Sequence, residues 1–369
     1  MNDRLQRLYN IIKEKDLDGV ILTDGYNIDY ISGYKGHTGM LLVVNDTSYI
    51  LTDSRYTEQA SLEAKAFEII DIGMDGYSKT VKRILEEKIE DSHTVSLGFE
   101  DKSISYTQYK ALSDALGASV SLVELGDVVN KLRMIKSQDE IDLIAKAEAI
   151  GDEAFNHIIN YIEVGMTEKQ VALELEYVMK SLGADGLSFD TIVASGTNSS
   201  MPHAVPTDKA IEEGDFVTLD FGCIYKGYCS DMTRTVYMGD EINEKQLDIY
   251  NTVLYAQKAA LKCIRPGVKC SDIDKIARDF IAEAGYGEYF GHGLGHGVGL
   301  YIHEEPRFSK SCDVILEPGM VLSVEPGIYL PGEFGVRIED LIVVTNDGYE
   351  PRPGTGGSNR KFHQYLHWR

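Results

Sequence analysis

Gly291-His-Gly-Leu-Gly-His-Gly-Val-Gly-Leu-Tyr-Ile-His303 sets three histidines among glycines that recur at every second position from Gly291 to Gly299. His292 and His296, four residues apart, would share one face of a helix as in a zinc-binding HExxH motif, but alternating glycine makes a helix unfavourable. The stretch is expected to bend into a strand instead. A glycine-rich dinucleotide loop is the other look-alike, yet imidazoles stand between these glycines and no acid follows at the ribose-binding distance. Read together with Asp220, Asp231, Glu325 and Glu339, the histidines point to a two-metal hydrolytic centre.

The spacing of those acids explains why they should meet. Asp220 and Asp231 lie symmetrically about Tyr225-Lys226. A hairpin turning there would set them directly opposite, with Cβ atoms roughly 4.5 to 5.5 Å apart. Glu325 and Glu339 are symmetric about Gly332 within Leu330-Pro-Gly-Glu-Phe-Gly335, whose turn formers suit a second hairpin. Carboxylates clustered in a partly buried site repel one another, and metals roughly 3.5 to 4 Å apart would compensate. Any one acid alone is more often a solvated charge or a local salt bridge. Asp220 inside Val217-Thr-Leu-Asp-Phe221 and Glu325 inside Val321-Leu-Ser-Val-Glu-Pro326 occupy strand contexts, where an unpaired acid is costly. For His296, a hydrogen-bonded structural role is weighed against its glycine setting, which lets backbone and substrate approach closely and favours a ligand.

The rest of the chain divides in two. Residues 1–130 alternate strands at Gly19–Thr23, Met40–Val44, Ser48–Thr52 and Val95–Phe99 with helices near 56–65, 77–90 and 106–116, an α/β unit. Residues 131–349 begin with two helices, the first capped by Ser137 with Glu140 and the second by Thr167 with Gln170. Strands around Phe216–Phe221 and Tyr228–Tyr237 follow. The same order then recurs: helices at about 244–264 and 272–284, and strands at Met320–Tyr329 and Val336–Thr345. Two helices and two acid-bearing strands, given twice, predict an α+β domain with a pseudo-two-fold duplication. Residues 350–369 form a Pro/Gly-rich and then basic tail, a flexible or foreign segment carrying none of the candidate ligands.

Composition narrows the partners. With 369 residues, 43% hydrophobic and 26% charged, the chain suits two globular domains. A net charge of −23 repels polyanions, so neither nucleic acid nor an anionic membrane is an expected partner. No segment is apolar enough to span a bilayer, and the charged start lacks a signal peptide's apolar run, so a cytoplasmic location is expected. Five cysteines, odd in number and without a CxxC pair, indicate reduced structural thiols.

Several motifs fall in a recognisable order: Val193-Ala-Ser-Gly-Thr-Asn-Ser-Ser-Met-Pro-His203, Leu219-Asp-Phe-Gly222, Ser230-Asp-Met-Thr-Arg-Thr235, the histidine stretch continued to Arg307, Ser323-Val-Glu-Pro-Gly-Ile-Tyr329 and Val336-Arg-Ile-Glu-Asp340. Together they resemble the metal-dependent Xaa-Pro peptidases, prolidase and aminopeptidase P, of the pita-bread creatinase/aminopeptidase fold, over residues 1 to about 349. Tyr26-Asn-Ile-Asp-Tyr-Ile-Ser-Gly33 and Leu51-Thr-Asp-Ser-Arg-Tyr56 are similar to that family's amino-terminal mixed-sheet α/β domain, which implies a homodimer.

The resemblance implies that Asp220, Asp231, His296, Glu325 and Glu339 are metal ligands, Asp231 and Glu339 bridging two divalent ions. Oxygen-rich ligation with one histidine favours a hard ion, hence Mn2+, with Co2+, Fe2+ or Zn2+ able to support the geometry. It also implies that Glu325 takes a proton from water, that His303 stabilises the tetrahedral oxyanion and that His203 and His292 line the pocket. Arg337 would organise the site, and Arg307 would meet a substrate carboxylate unless it is an exposed loop charge. Tyr329 and Phe189 are read as core residues, although the family places an aromatic residue at position 189 beside the pocket. The implied reaction is hydrolysis of the X-Pro bond at the amino end of peptides or in X-Pro dipeptides. Rival readings are a methionine aminopeptidase, which usually lacks the first domain, a creatinase, which lacks this metal set, and a non-catalytic pita-bread binding protein, which typically loses ligands.

Overall fold

A computed structural model describes residues 3–89 and 94–351. Of the tail read at residues 350–369, Glu350 and Pro351 instead belong to a strand paired with Val343 and Ile342, and residues 352–369 lie outside the described residues. The described residues form two compact units, divided between Arg133 and Met134.

The first unit holds α1 (Asp3–Glu14), β1 (Gly19–Leu22), α2 (Gly25–Ser32), β2 (Met40–Val44), β3 (Thr47–Thr52), α3 (Thr57–Glu63), β4 (Glu68–Asp71), α4 (Gly76–Lys88), β5 (Val95–Phe99), α5 (Tyr106–Leu116), β6 (Val120–Glu124) and α6 (Val128–Met134). Its strands form one mixed sheet in the order β4-β3-β2-β1-β5-β6. All five residues of β2 are buried, as its unbroken apolar run demands of a central strand. On α4 the buried residues Thr80, Val81, Ile84 and Leu85 recur at helical spacing and pack toward Ile21, Leu42 and Leu97. The sequence signals missed β4 and β6, the two edge strands, because their faces are only partly buried and their apolar patterns are weak.

In the second unit α7 (Gln138–Ile158) and α8 (Glu168–Ser181) both start at the expected capping boxes, Ser137 with Glu140 and Thr167 with Gln170. After the two-residue β7 (Gly186–Leu187) come β8 (Ile192–Ser195), β9 (Phe216–Phe221), β10 (Cys223–Tyr225), β11 (Tyr228–Cys229) and β12 (Met232–Tyr237). The pattern restarts with α9 (Glu244–Leu261) and α10 (Cys270–Glu283), then β13 (Gly295–Gly297), β14 (Glu304–Phe308), β15 (Val321–Val324), β16 (Gly327–Leu330), β17 (Phe334–Arg337), β18 (Asp340–Val344) and β19 (Tyr349–Pro351). Each half is a pair of helices over an antiparallel sheet, β12-β9-β8 in the first and β14-β13-β15-β18-β19 in the second. Each also has its own core, Val171, Leu175, Leu219 and Phe221 in one and Val253, Ile273, Leu322 and Ile342 in the other.

The halves join along β12. Thr235 Oγ1 donates to the Arg337 carbonyl at 2.8 Å and accepts from the Arg337 N–H at 3.2 Å, while the Glu339 N–H donates to the Thr233 carbonyl at 3.2 Å. This seam brings the acid-bearing segments of the two halves together.

One expected register is corrected. Asp220 pairs with Thr233, not Asp231, because the turn is Lys226-Gly227. Both turn residues have positive φ, 50° and 91°, the two-residue turn that glycine favours between twisted strands. Moving the turn centre by one residue moves the pairing by two. Asp231 therefore lies diagonally across from Asp220 and, since side chains alternate along a strand, on the same face. The second hairpin has the expected register: Gly327 pairs with Arg337 and Val324 with Asp340, so Glu325 and Glu339 stand opposite each other where two ladders meet.

Candidate metal centre

The glycine-rich stretch bends into and out of the short strand β13, and crowding excludes a side chain at Gly293, Gly295, Gly297 and Gly299. A Cβ on Gly295 would fall 2.0 Å from the Ser323 carbonyl oxygen, and one on Gly297 would fall 2.5 Å from that of Glu305. With β14 on one side and β15 on the other, β13 carries His296 between backbones that leave no room for side chains at the alternate positions.

His296 is 7% exposed, and its Nδ1 faces the Gly297 carbonyl at 3.1 Å. A carbonyl only accepts, so Nδ1 carries the proton and the Nε2 lone pair points inward. Nε2 lies 3.4 Å from Asp231 Oδ2 and 3.3 Å from Glu325 Oε1. Burial, and then the neighbouring His303, pull the His296 pKa down to about 3, so these contacts join a neutral imidazole to carboxylates rather than forming ion pairs. Donor atoms of Asp231, His296 and Glu339 all come within 4.8 Å of one another.

Electrostatically, this arrangement is incomplete without cations. Burial, and then mutual repulsion, raise the pKa values of Asp231 and Glu339 well above the carboxylate range, and burial lifts Glu325 to about 7. Asp220 Oδ1 and Glu339 Oε1 are buried with no hydrogen-bond partner. An imidazole lone pair facing carboxylate oxygens, with two further orphaned oxygens, is a donor set suited to divalent ions.

A cavity of about 600 Å³ opens onto this cluster. His203, His292, His303, Arg307 and Arg337 all line it, so the structure brings together every site residue singled out from the sequence. His303 sits edge-on to His296 with ring centroids 4.5 Å apart, and its pKa is lowered by burial and then by Arg307 and His203. Arg307 is half exposed and 3.7 Å from Glu305. Phe189, Ile192, Pro202 and Val205 supply apolar wall, which places Phe189 at the pocket rather than in the core.

Tyr329 is buried as expected, but its hydroxyl is not idle. It accepts from Arg337 at 2.8 Å and contacts His292 Nε2 at 2.9 Å, while His292 Nδ1 faces the Gly293 carbonyl at 2.8 Å. Burial lowers the His292 pKa to about 4, so its neutral ring takes the tyrosine proton at Nε2 and donates from Nδ1.

Sequence reasoning missed the residues that hold the acids. Thr233 Oγ1 donates to Glu339 Oε2 at 2.7 Å, Ser323 Oγ donates to Glu325 Oε1 at 3.1 Å and the Asp231 N–H donates to Glu148 at 2.9 Å. Thr233 and Ser323 each stand two residues from an acid on an extended segment, a period-two signal that was available. Glu148 had none, being 83 residues away on α7.

Residues 142–346 match metallopeptidase family M24 and residues 4–135 match the creatinase/prolidase N-terminal domain. The chain is 45% identical to the uncharacterized peptidase YqhT of Bacillus subtilis, covering 94% of this chain and 96% of that one. It is 39% identical to a Xaa-Pro dipeptidase of Pyrococcus horikoshii, over 94% and 96%. A solved Xaa-Pro dipeptidase from Bacillus anthracis superposes with a TM-score of 0.89 at 43% identity, over 96% of this chain and 98% of the other. The chain belongs to metallopeptidase family M24, with the pita-bread catalytic fold behind a creatinase-type N-terminal domain.

Proposed function

We propose that this protein is a dinuclear metallopeptidase that hydrolyses the X-Pro bond, at the amino end of peptides or in X-Pro dipeptides. The observation that carries the reading is the convergence of Asp231, His296 and Glu339 at the floor of a cavity that also holds His303 and Arg307. The names of the prolidase relatives support the substrate class. Nothing favours methionine release or binding without catalysis.

Asp220, Asp231, His296, Glu325 and Glu339 would hold two divalent ions, with Mn2+ favoured by the oxygen-rich donor set. Such ions, when bound, polarise a carbonyl oxygen and acidify water toward a pKa of about 7. Glu325, steadied by Ser323, accepts the proton of the attacking water and delivers it to the leaving proline nitrogen. His303, neutral because burial lowers its pKa, donates a hydrogen bond to the oxyanion of the tetrahedral intermediate. His203 faces the same space. An X-Pro bond has no amide N–H to grip, so recognition rests on shape, and Phe189, Ile192 and Val205 offer the apolar wall for the ring. Arg307 would receive the carboxylate of a dipeptide.

The resemblance of the first domain supports a homodimer, and the acidic surface and thiol-only cysteines suit the cytoplasm. Rates on Gly-Pro, Gly-Pro-Pro and a longer X-Pro peptide with Mn2+, Co2+ or Zn2+ test the reading. Asp231→Ala should lose metal uptake and turnover together. Wild-type rates in that variant, or full activity after exhaustive chelation, would refute it.

A further inference from the structure

Glu168, the first residue of α8, is 0% exposed yet takes no part in the chemistry above. Its Oε1 accepts from the Ser195 N–H at 2.7 Å, the Ser195 hydroxyl at 2.9 Å and the Asn198 amide at 3.0 Å. Its Oε2 accepts from the Thr207 N–H at 2.9 Å and the Thr207 hydroxyl at 2.6 Å. Burial alone would raise its pKa, but the hydrogen bonds from Thr207, Ser195 and Asn198 prevail and lower it, so the group is an anion holding five donors.

Those donors stand at the two ends of one segment. Residues 196–206 leave β8 at Ser195 and return to the N-terminus of α8 at Thr207, whose carbonyl accepts from the Lys169 N–H. Between these ends lie Pro202, His203, Ala204 and Val205, one wall of the cavity. At its middle the arch is tied by Ser199, which accepts from the Gly335 N–H at 2.9 Å, and by Pro202, whose carbonyl accepts from Arg337 at 3.2 Å. One carboxylate thus closes the base of the loop that carries His203.

We propose that Glu168 is a positioning residue for substrate: by gripping Ser195, Asn198 and Thr207 it sets where His203 and Val205 stand against the scissile bond, and it has no part in holding metal. The kinetic consequence rests on the X-Pro peptidase reading; the clamp itself does not. A glutamine at 168 keeps the shape but turns an NH2 group toward two or more of the five donors, loosening both ends of the arch. A displacement of about 1 Å at a reacting group is worth about 100-fold in rate.

The test compares wild type, Glu168→Gln, Thr207→Val and Thr207→Ser. Thr207 is exposed, so its variants report on the clamp even where the buried substitution impairs folding. Three measurements are made: metal content, kcat and KM on an X-Pro dipeptide, and hydrogen exchange by mass spectrometry. Expected are unchanged metal content, a kcat/KM lower by about 100-fold in Glu168→Gln, and a loss of about tenfold in Thr207→Val that serine restores. Amide exchange should rise in 196–206 and not across the rest of the unit. Wild-type kinetics and exchange in both Glu168→Gln and Thr207→Val would overturn the proposal, as would loss of metal or exchange rising throughout the unit. If wild type cleaves no X-Pro peptide while exchange still rises only in the arch, the substrate reading fails and the clamp is supported.

Discussion

Arg337 Nη2 lies 2.5 Å from Asp220 Oδ2, with the two side chains 4% and 12% exposed. The same guanidinium also donates to Thr233 at 3.1 Å, Tyr329 at 2.8 Å and the Pro202 carbonyl at 3.2 Å. A protein cation therefore neutralises one edge of the acid cluster and ties it to the substrate wall. Arg337→Met keeps the stem and removes the charge. Breaking a buried pair costs about 3–5 kcal/mol, so the metal-free variant should melt well below wild type. Divalent ions supply the missing charge, so the rise in Tm on adding Mn2+ should be larger in the variant. Equal rises in both proteins would show that Arg337 does not share the neutralisation of Asp220.

His303 lines the cavity beside His296 and is not among the Asp231, His296 and Glu339 donor atoms that converge within 4.8 Å. His303→Ala should lower kcat by about 100- to 1,000-fold, the loss typical of removing one oxyanion donor. Metal content should not change. Because its pKa lies below the usual 6.5, the ring is neutral at pH 7, and no loss of kcat should follow from its titration above that pH. A variant that loses bound metal would assign His303 to the ion cluster instead.

Metal uptake should release protons. Glu325, lifted from 4.5 to about 7 chiefly by burial, holds a proton at pH 6 in the metal-free protein, and burial followed by mutual repulsion also raises the pKa values of Asp231 and Glu339. His296, lowered to about 3, has none to give. For Glu325 the folded pKa exceeds the unfolded one, so its contribution to metal-free stability is full below about 4.5 and is lost as pH rises through about 7. His296 acts oppositely, its contribution falling as pH drops below 6.5. Calorimetry of Mn2+ binding at pH 6 in buffers of different ionisation enthalpy should therefore reveal net proton release, with affinity rising toward neutral pH. Heats independent of the buffer would contradict protonated carboxyls at the site.

The glycines of the histidine stretch should differ in tolerance. Gly291→Ala meets nothing within 4 Å, whereas alanine at Gly295 would press on the Ser323 backbone at 2.0 Å. Overpacking of this kind typically costs about 1–3 kcal/mol. Because Gly295 precedes His296, the strain should also lower metal affinity. Thermal melts and metal titrations of the two variants check this, and equal behaviour would mean that β13 moves freely.

Much of this site could be read without coordinates. The acid spacing about Gly332 carried the register of the second hairpin, because turn chemistry is local and each residue along an antiparallel pair is counted from its turn. The first hairpin shows the limit of the same reasoning. Tyr225-Lys226 is the midpoint between Asp220 and Asp231, but Gly227 supplies the left-handed residue, and the turn goes where the backbone permits it.

By itself the sequence determined which chemical groups are available, the order of the strongly patterned helices and strands, and the capping boxes at Ser137 and Thr167, all of which depend on residues within a few positions of each other. Only the tertiary structure decided that Arg337 neutralises Asp220, that Thr233 orients Glu339 and that Glu168 closes the loop bearing His203. These contacts join positions 117, 106 and 39 residues apart, and side-chain hydrogen bonds over such separations leave no periodic trace in the chain. They form because folding buries charged and polar groups that must find partners within the protein once water is excluded.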